Sequence, residues 1–379
     1  MATFFPRCNN KKKFLFIAAV AFLSMISAIR ILRITERERE PAFQANPAHR
    51  CAHRINLQDV HGPGKEWHTG GWAVRQLCSQ PLDTLFFVHV APNKWERRVH
   101  LRATLFEEAA RAAFNWTGVF FVGQHEDPLV NLWTKLEADV TGDVVVFPYN
   151  DTFFTTVYKF VRGMRWVAEY CPKVRHIVKI DHDVGVQPIE LRQYLNETLP
   201  LENRSIHCAV WKYAKVFRDG RDKHCVPEDQ LPMDFYPFYC AGRAMIMTME
   251  TMGKLYRASK FVEGYQVDDT YVSGHLALLA NVGHVDITNN VSWDTWDNNT
   301  RRMLEQTAIF THDHSDYGSS FGHRAQWILM LWTQTGRHAF DFSYRLVDRI
   351  YARAFHETRR ALARGLYLPP RNLFSYLIL

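Results

Sequence analysis

HIVKIDHDVGV, residues 176–186, runs from an apolar stretch straight into two carboxylates, Asp181 and Asp183, with His182 between them. A short apolar run rich in β-branched residues and bounded by polar ones reads as a buried strand. Ligands of open α/β sheets gather outside the carboxyl ends of the strands. The meaning of the two acids therefore depends on whether the surrounding chain builds such a sheet.

Upstream it does. TLFFVHV (84–90), GVFFVG (118–123) and DVVVF (143–147) are β-rich, and they alternate with helical patterning over 96–114, 128–139 and 152–170. Strands trading places with helices of this length imply βαβ crossovers, and hence an α/β fold whose mixed, mostly parallel sheet is flanked by helices. Beyond Val186 the alternation loosens, through YPFYCAGRAMIMTM (236–249), a helix from Glu250 and VDDTYVSGHLALLANV (267–282). One domain with an irregular second half fits this better than two folds.

The 379 residues are 47% hydrophobic and 14% aromatic, enough for a sizeable core and too apolar for a disordered chain. The net charge of +7 is concentrated in the first 34 residues, which hold six of the 46 Lys+Arg and no acid. The remainder is nearly balanced, which excludes a nucleic-acid-tracking surface.

FLFIAAVAFLSMISAI (14–29), preceded by Arg7 and Lys11 to Lys13 and closed by Arg30, is a membrane-targeting segment. An uncleaved anchor with its basic end cytoplasmic is the favoured reading, and a cleaved signal peptide the other. Either leaves the rest lumenal or extracellular. Six N-x-S/T sequons, at Asn115, Asn150, Asn196, Asn203, Asn290 and Asn298, all follow that segment. So do six of the seven cysteines, all but Cys8, which allows up to three disulfides; buried free thiols are the alternative. The expected division is a cytoplasmic tail 1–13, a signal-anchor 14–34, a stem 35–82, a globular domain 83–336 and a basic helical extension 337–379.

An Asp-x-Asp at a strand end can hold Mn²⁺ or Mg²⁺ against a diphosphate through hard oxygen ligands, although alone it reads more readily as a turn cap beside a solvated acid. Asp268 and Asp269 form a second pair at a helix start, where capping is the ordinary role and proton acceptance the functional one. HDHSD (312–316) offers His312 or His314 as a further ligand.

Five pieces in order resemble the β-1,3-galactosyltransferase and Fringe group of Golgi glycosyltransferases, over roughly residues 83–335. RVHLRATL resembles the group's R-x-x-I-R-x-T-W, with Arg98, Arg102 and Thr104 in place and Leu105 for Trp. DTFFTTVYK resembles D-S-Y-x-N-L-T-L-K, keeping Asp151 and Lys159 but not the N-L-T core. KIDHDVGV resembles K-T-D-D-D-V-F-V, with His182 for the middle Asp and Gly185 for Phe. YPFYCAGRAMIM resembles Y-P-x-Y-C-S-G-x-G-Y-V, and VDDTYVSG resembles E-D-V-Y-V-G with Asp268 for Glu.

The resemblance implies a GT-A-type, Rossmann-like domain behind a type II Golgi anchor, its catalytic side lumenal. It implies inverting, metal-dependent transfer of galactose or N-acetylhexosamine from a UDP-sugar to a glycan hydroxyl, giving a β-1,3 linkage, and leaves room for a homodimer. By position it implies Asp269 as base, and Asp183, Asp181 and His312 around Mn²⁺ or Mg²⁺. Arg98, Arg102, Asp151, Lys159 and Asp181 would lie near the donor, and Tyr239, Gly242 and Asp268 would line the acceptor cleft. Two other classes remain open: a lumenal metal-dependent hydrolase using Asp181, Asp183 and His312, and a non-catalytic glycan-binding relative.

Overall fold

Each apolar run becomes a strand: β1 Thr84–His89, β2 Trp116–Gln124, β3 Val144–Asn150, β4 His176–Asp181, β5 Val184–Val186, β6 Ser205–Trp211, β7 Tyr239–Thr248, β8 Gly283–Asp286, β9 Val291–Ser292 and β10 Phe310–His312. Between them lie helices α1 Trp95–Arg102, α2 Glu108–Phe114, α3 Pro128–Thr141, α4 Thr156–Tyr170, α5 Pro188–Glu197 and α6 Met249–Ala258. A π-helical segment, Thr270–Leu276, follows and continues into Ala277–Leu279. This computed structural model describes residues 77–312, apart from 103, 295–298, 300–301 and 304, together with 55–57 and 60.

Seven strands form one sheet in the order β3-β2-β1-β4-β7-β6-β8. Pairing is parallel between β1 and β2, β1 and β4, β2 and β3, and β6 and β8, while β7 runs against both β4 and β6. The mostly parallel reading is correct, with one reversed strand. As a result β1, β4 and β6 end at the same edge, and there β7 begins. A second sheet, β5-β10-β9, sits directly after Asp183 and pairs Val184 with His312.

All six residues of β1 are buried, because helices cover both faces of the sheet. Leu85 and Phe87 belong to one core with α4, and Phe86 and Val88 to the other, against Phe106 and Trp116. Helix α4 lies so close to β1 that a Cβ on Gly163 would stand 2.2 Å from the Phe87 ring.

The chain departs from its sequence reading in two places. The helix expected over 96–114 is broken into α1 and α2, because Leu105 and Phe106 turn into the core: the Leu105 carbonyl accepts from the Trp116 indole at 2.9 Å, and Phe106 lies over Gly118. Within the stretch expected as stem, Ile55, Leu57 and Val60 are buried members of the core. Ile55 bridges to Gly264, and Arg165 donates to the Val60 carbonyl at 2.7 Å. Cys78–Cys171 and Cys208–Cys240 are disulfides, and Cys225 is disulfide-bonded as well. Of the sequon asparagines, Asn115, Asn150, Asn196 and Asn203 are exposed and Asn290 is half-buried. Asn298, Cys51, the anchor 14–34 and the extension 337–379 lie outside the described residues, among which no helix is long and apolar enough to cross a membrane.

Gly163 gives a test of the packing. Gly163→Ala gains helix propensity, about 1 kcal/mol, but drives a methyl into a fully buried ring, and overpacking typically costs ~1–3 kcal/mol. The clash should win, so the variant should unfold at lower denaturant than the parent; equal or higher stability would show that α4 can shift.

Candidate active site

At the common edge of the sheet, β1 delivers His89, β4 delivers Asp181, β6 ends in Trp211, and β7 opens with Tyr239. The groups that gather there are tied together by Lys179, a lysine inside the apolar run of β4. A buried ammonium needs partners, and this one donates to Asp181 Oδ1 at 2.6 Å and to the Gly242 carbonyl across the β4–β7 boundary.

Asp183 lies two residues further on, where β5 starts back along β10. Cross-strand pairing brings His312 beside it, with Nε2 3.2 Å from Asp183 Oδ2. Burial works to raise the Asp183 carboxyl, but the hydrogen bond from His312 and the charges of His182 and His312 override it and hold the group well below the usual carboxylate range. Its other oxygen, Oδ1, is buried with no hydrogen-bond partner among the described residues. A buried carboxylate oxygen left open beside an imidazole suits a hard or borderline cation such as Mn²⁺. No group of three or more ligand side chains converges among the described residues, so such an ion would complete its shell from substrate oxygens and water.

Asp269 caps the π-helical segment, its Oδ1 accepting from the Thr270 amide at 2.8 Å. Gly242 faces it: a Cβ there would stand 3.2 Å from Asp269 Oδ2, so the glycine leaves that oxygen room. Burial, and then the charge of Asp268, push the Asp269 carboxyl up to about 7. Burial also raises Asp268, against the opposing charge of Lys179. The same carboxylate thus caps the segment through one oxygen and meets Gly242 with the other, and a π-helical insertion is a frequent device for placing such a residue.

Of the expected donor-side residues, Arg98, Arg102, Asp151 and Lys159 are each held in ion pairs with neighbouring side chains. Arg98 is 0% exposed, with its guanidinium clamped on Glu137 at 2.9 and 2.6 Å and on the Ala91 and Pro92 carbonyls. Arg102 engages Glu137 and, bidentately, Asp143, while stacking over Phe120. Arg98 holds the loop after β1 in shape, Arg102 ties α1 to the end of α3 and the start of β3, and both turn inward. Lys159 and Asp151 form a buried pair at 2.8 Å; the lysine also donates to the Val90 carbonyl, and Asp151 Oδ2 accepts from the Gly123 amide. That pair locks the ends of β1, β2 and β3 to α4.

The sequence reading missed His89 and Lys179. His89 is buried at the end of β1 with Nδ1 3.8 Å from Asp268 Oδ2, and burial holds its imidazole neutral with help from the Lys179 and Lys159 charges. A lysine inside HIVKI was the available signal, because a charge in a buried strand must find an acid nearby. His182 is half-buried, burial lowers its imidazole against the opposing charges of Asp183 and Asp181, and its amide donates to the His89 carbonyl.

The sequence model of a family described as Galactosyltransferase matches residues 96–288. Beta-1,3-galactosyltransferase 1 of Mus musculus and of Homo sapiens are each 24% identical over 196 residues, covering 52% of this chain and 60% of theirs. Human N-acetyllactosaminide beta-1,3-N-acetylglucosaminyltransferase 3 is 26% identical over 256 residues, covering 64% and 65%. The chain thus spans less than two thirds of the length of these relatives. Among solved structures, apo mouse xyloside xylosyltransferase 1 aligns with 62% of this chain and 99% of its own at 12% identity and a TM-score of 0.32.

The Lys159–Asp151 pair can be tested apart from any activity. Lys159→Met leaves Asp151 buried with its charge uncompensated, and breaking a buried pair costs ~3–5 kcal/mol. Denaturant unfolding should show a loss of that size; a loss under ~1 kcal/mol would mean the pair is wetter than its burial indicates.

Proposed function

The chain belongs to the galactosyltransferase family, and from that premise we propose that it transfers galactose or N-acetylhexosamine from a UDP-sugar to a glycan hydroxyl, with inversion, forming a β-1,3 linkage. The observation that carries this is Asp269: a carboxyl pushed up to about 7, capped at one oxygen and given space at the other, at the edge of the sheet where the strands end. A base is most effective when its pKa lies near the working pH.

In this reading Asp269 takes the proton of the acceptor hydroxyl as that oxygen attacks the anomeric carbon. The bond from that carbon to the β-phosphate oxygen breaks, its electron pair leaves with UDP, and one displacement turns an α-linked donor into a β-linked product. Asp183 and His312, with Asp181 alongside, would hold Mn²⁺ or Mg²⁺, which when bound supplies charge neutralisation at the departing diphosphate. Lys179 fixes Asp181 and Gly242 relative to each other, and Gly242 keeps the space beside Asp269. Arg98, Arg102, Asp151 and Lys159 serve by shaping the loops around the donor rather than by touching it. We assign Tyr239 and Asp268 to the acceptor side, and the segment 14–34 to a type II anchor that places the domain in the Golgi lumen.

Asp269→Asn keeps size and capping ability but removes basicity, so transfer should fall by at least ~10²-fold while donor binding by calorimetry survives. Asp183→Ala should abolish both transfer and Mn²⁺-dependent UDP binding. Equal donor binding in all three proteins would remove Asp183 from the metal, and full transfer by Asp269→Asn would remove the base.

The pH profile follows from the same group. A base must be deprotonated, so kcat/KM should fall tenfold per pH unit below an apparent pKa near 7. A profile flat from pH 5 to 8, at roughly constant donor saturation, would contradict that assignment.

A further inference from the structure

The connection between β6 and β7 exposes aromatic rings from a segment that is firmly tied down. Arg218 donates to the carbonyls of Val226, Leu231 and Met233 at 2.7, 2.8 and 2.6 Å. The Tyr236 amide donates to Ala214, and Cys225 adds a disulfide. Yet Trp211 is 54% exposed, Tyr213 77% and Phe238 43%, with the Tyr213 and Phe238 rings packed edge to face at 5.4 Å. Val216, Val226 and Leu231 point inward, while the aromatics and Met233 share the outer surface with charged residues such as Lys212, Lys215 and Arg221.

Tyr213 has φ 59, the left-handed region, which is unfavourable for a bulky side chain. Such strain persists only where the surroundings enforce it, and it clusters at binding sites. The position supports the same conclusion. Trp211, the last residue of β6, is paired directly with Tyr239, the first of β7, and side chains so opposed lie within ~5 Å at their Cβ atoms. Tyr239 is in turn within reach of the Asp269 charge. The Cβ of Tyr239 and the carbonyl of Phe238 stand 3.2 and 3.7 Å from where a Cβ on Gly274 would be, in the segment that Asp269 caps.

We propose that Trp211, with Tyr213 and Phe238, is the platform on which a glycan acceptor stacks a sugar ring, placing its hydroxyl before Asp269. The inference rests on the transferase reading above. A pyranose presents one face of polarised C–H groups ringed by hydroxyls, and the negative face of an indole or phenol attracts such a surface. Rigid aromatic rings offer this contact at little entropic cost, and the tether through Arg218 and Cys225 pre-organises them.

The test compares the full chain with Trp211→Ala and Trp211→Phe, using UDP-galactose and UDP-N-acetylglucosamine as donors, and β-galactosides, β-N-acetylglucosaminides and N-acetyllactosamine both as acceptors and on a glycan array. In Trp211→Ala the acceptor KM should rise about tenfold or more, the loss expected for an aromatic anchor at the centre of a contact. The donor KM and acceptor-free UDP release should stay within about threefold, Trp211→Phe should recover most of the loss, and array binding should fall in parallel. An unchanged acceptor KM in Trp211→Ala, while Asp269→Asn still abolishes transfer, overturns the platform and leaves the transferase standing. Array binding lost in Trp211→Ala, with no transfer by the parent from either donor, keeps the platform and removes the transferase. Equal rises in donor and acceptor KM, or Trp211-dependent capture on phosphatidylcholine vesicles without glycan binding, also overturn it.

Discussion

One ammonium group organises the catalytic edge. Lys179 stands in β4 almost fully enclosed, where an unpaired charge would cost several kcal/mol. It resolves that cost by reaching Asp181 on its own strand and the Gly242 carbonyl on the reversed neighbour. The bonds join β4 to β7 at the edge that also carries Asp268 and Asp269, whose carboxyls feel the charges of both Lys179 and Asp181. The same charge opposes the upward push of burial on Asp268 and, more weakly, on Asp269. The lysine that sets the geometry of the edge thus also restrains the basicity that burial gives its acids.

Around that bond, two separate devices place the candidate groups. On one side the short sheet β5-β10-β9 starts immediately after Asp183, so the ladder that pairs Val184 with His312 also seats His312 on the carboxylate. On the other, the π-helical segment presents Asp269 at its cap, and β7 approaches it through a residue with no side chain. The central four strands supply rigidity: β1 is wholly buried and in parallel register with β2 and β4. Beneath the edge, Arg98 and Lys159 fix the chain just after β1, and Arg102 ties α1 to α3 and the start of β3.

The alternating strands and helices from Thr84 to Asp181 were legible because periodicity reports burial directly, and buried β-branched runs leave little choice of structure. Asp183, His312 and Asp269 were legible as candidates because acids and histidines at strand ends and helix starts are few, and Gly242 only through the resemblance of its motif. Their joining was not, since it depends on a three-residue strand at 310–312 too short to show a period. The break between α1 and α2 escaped for a different reason: helix-forming residues flank it, and only the tertiary contact of Phe106 with Gly118 forces the turn. The inward roles of Arg98 and Arg102 were hidden because a charged residue in a motif looks the same whether it binds a ligand or a neighbouring acid. The packing of Ile55, Leu57 and Val60 on the core was invisible among residues without pattern.

The central claim is a single displacement driven by one carboxylate base. Proton NMR of the disaccharide product, recorded as it forms from an α-linked UDP-sugar before any mutarotation of the reducing end, tests it most directly. The account predicts the large diaxial H1–H2 coupling of a newly formed β-linkage. The small coupling of an α-linkage, or free hexose accumulating with no new glycosidic bond, would contradict it.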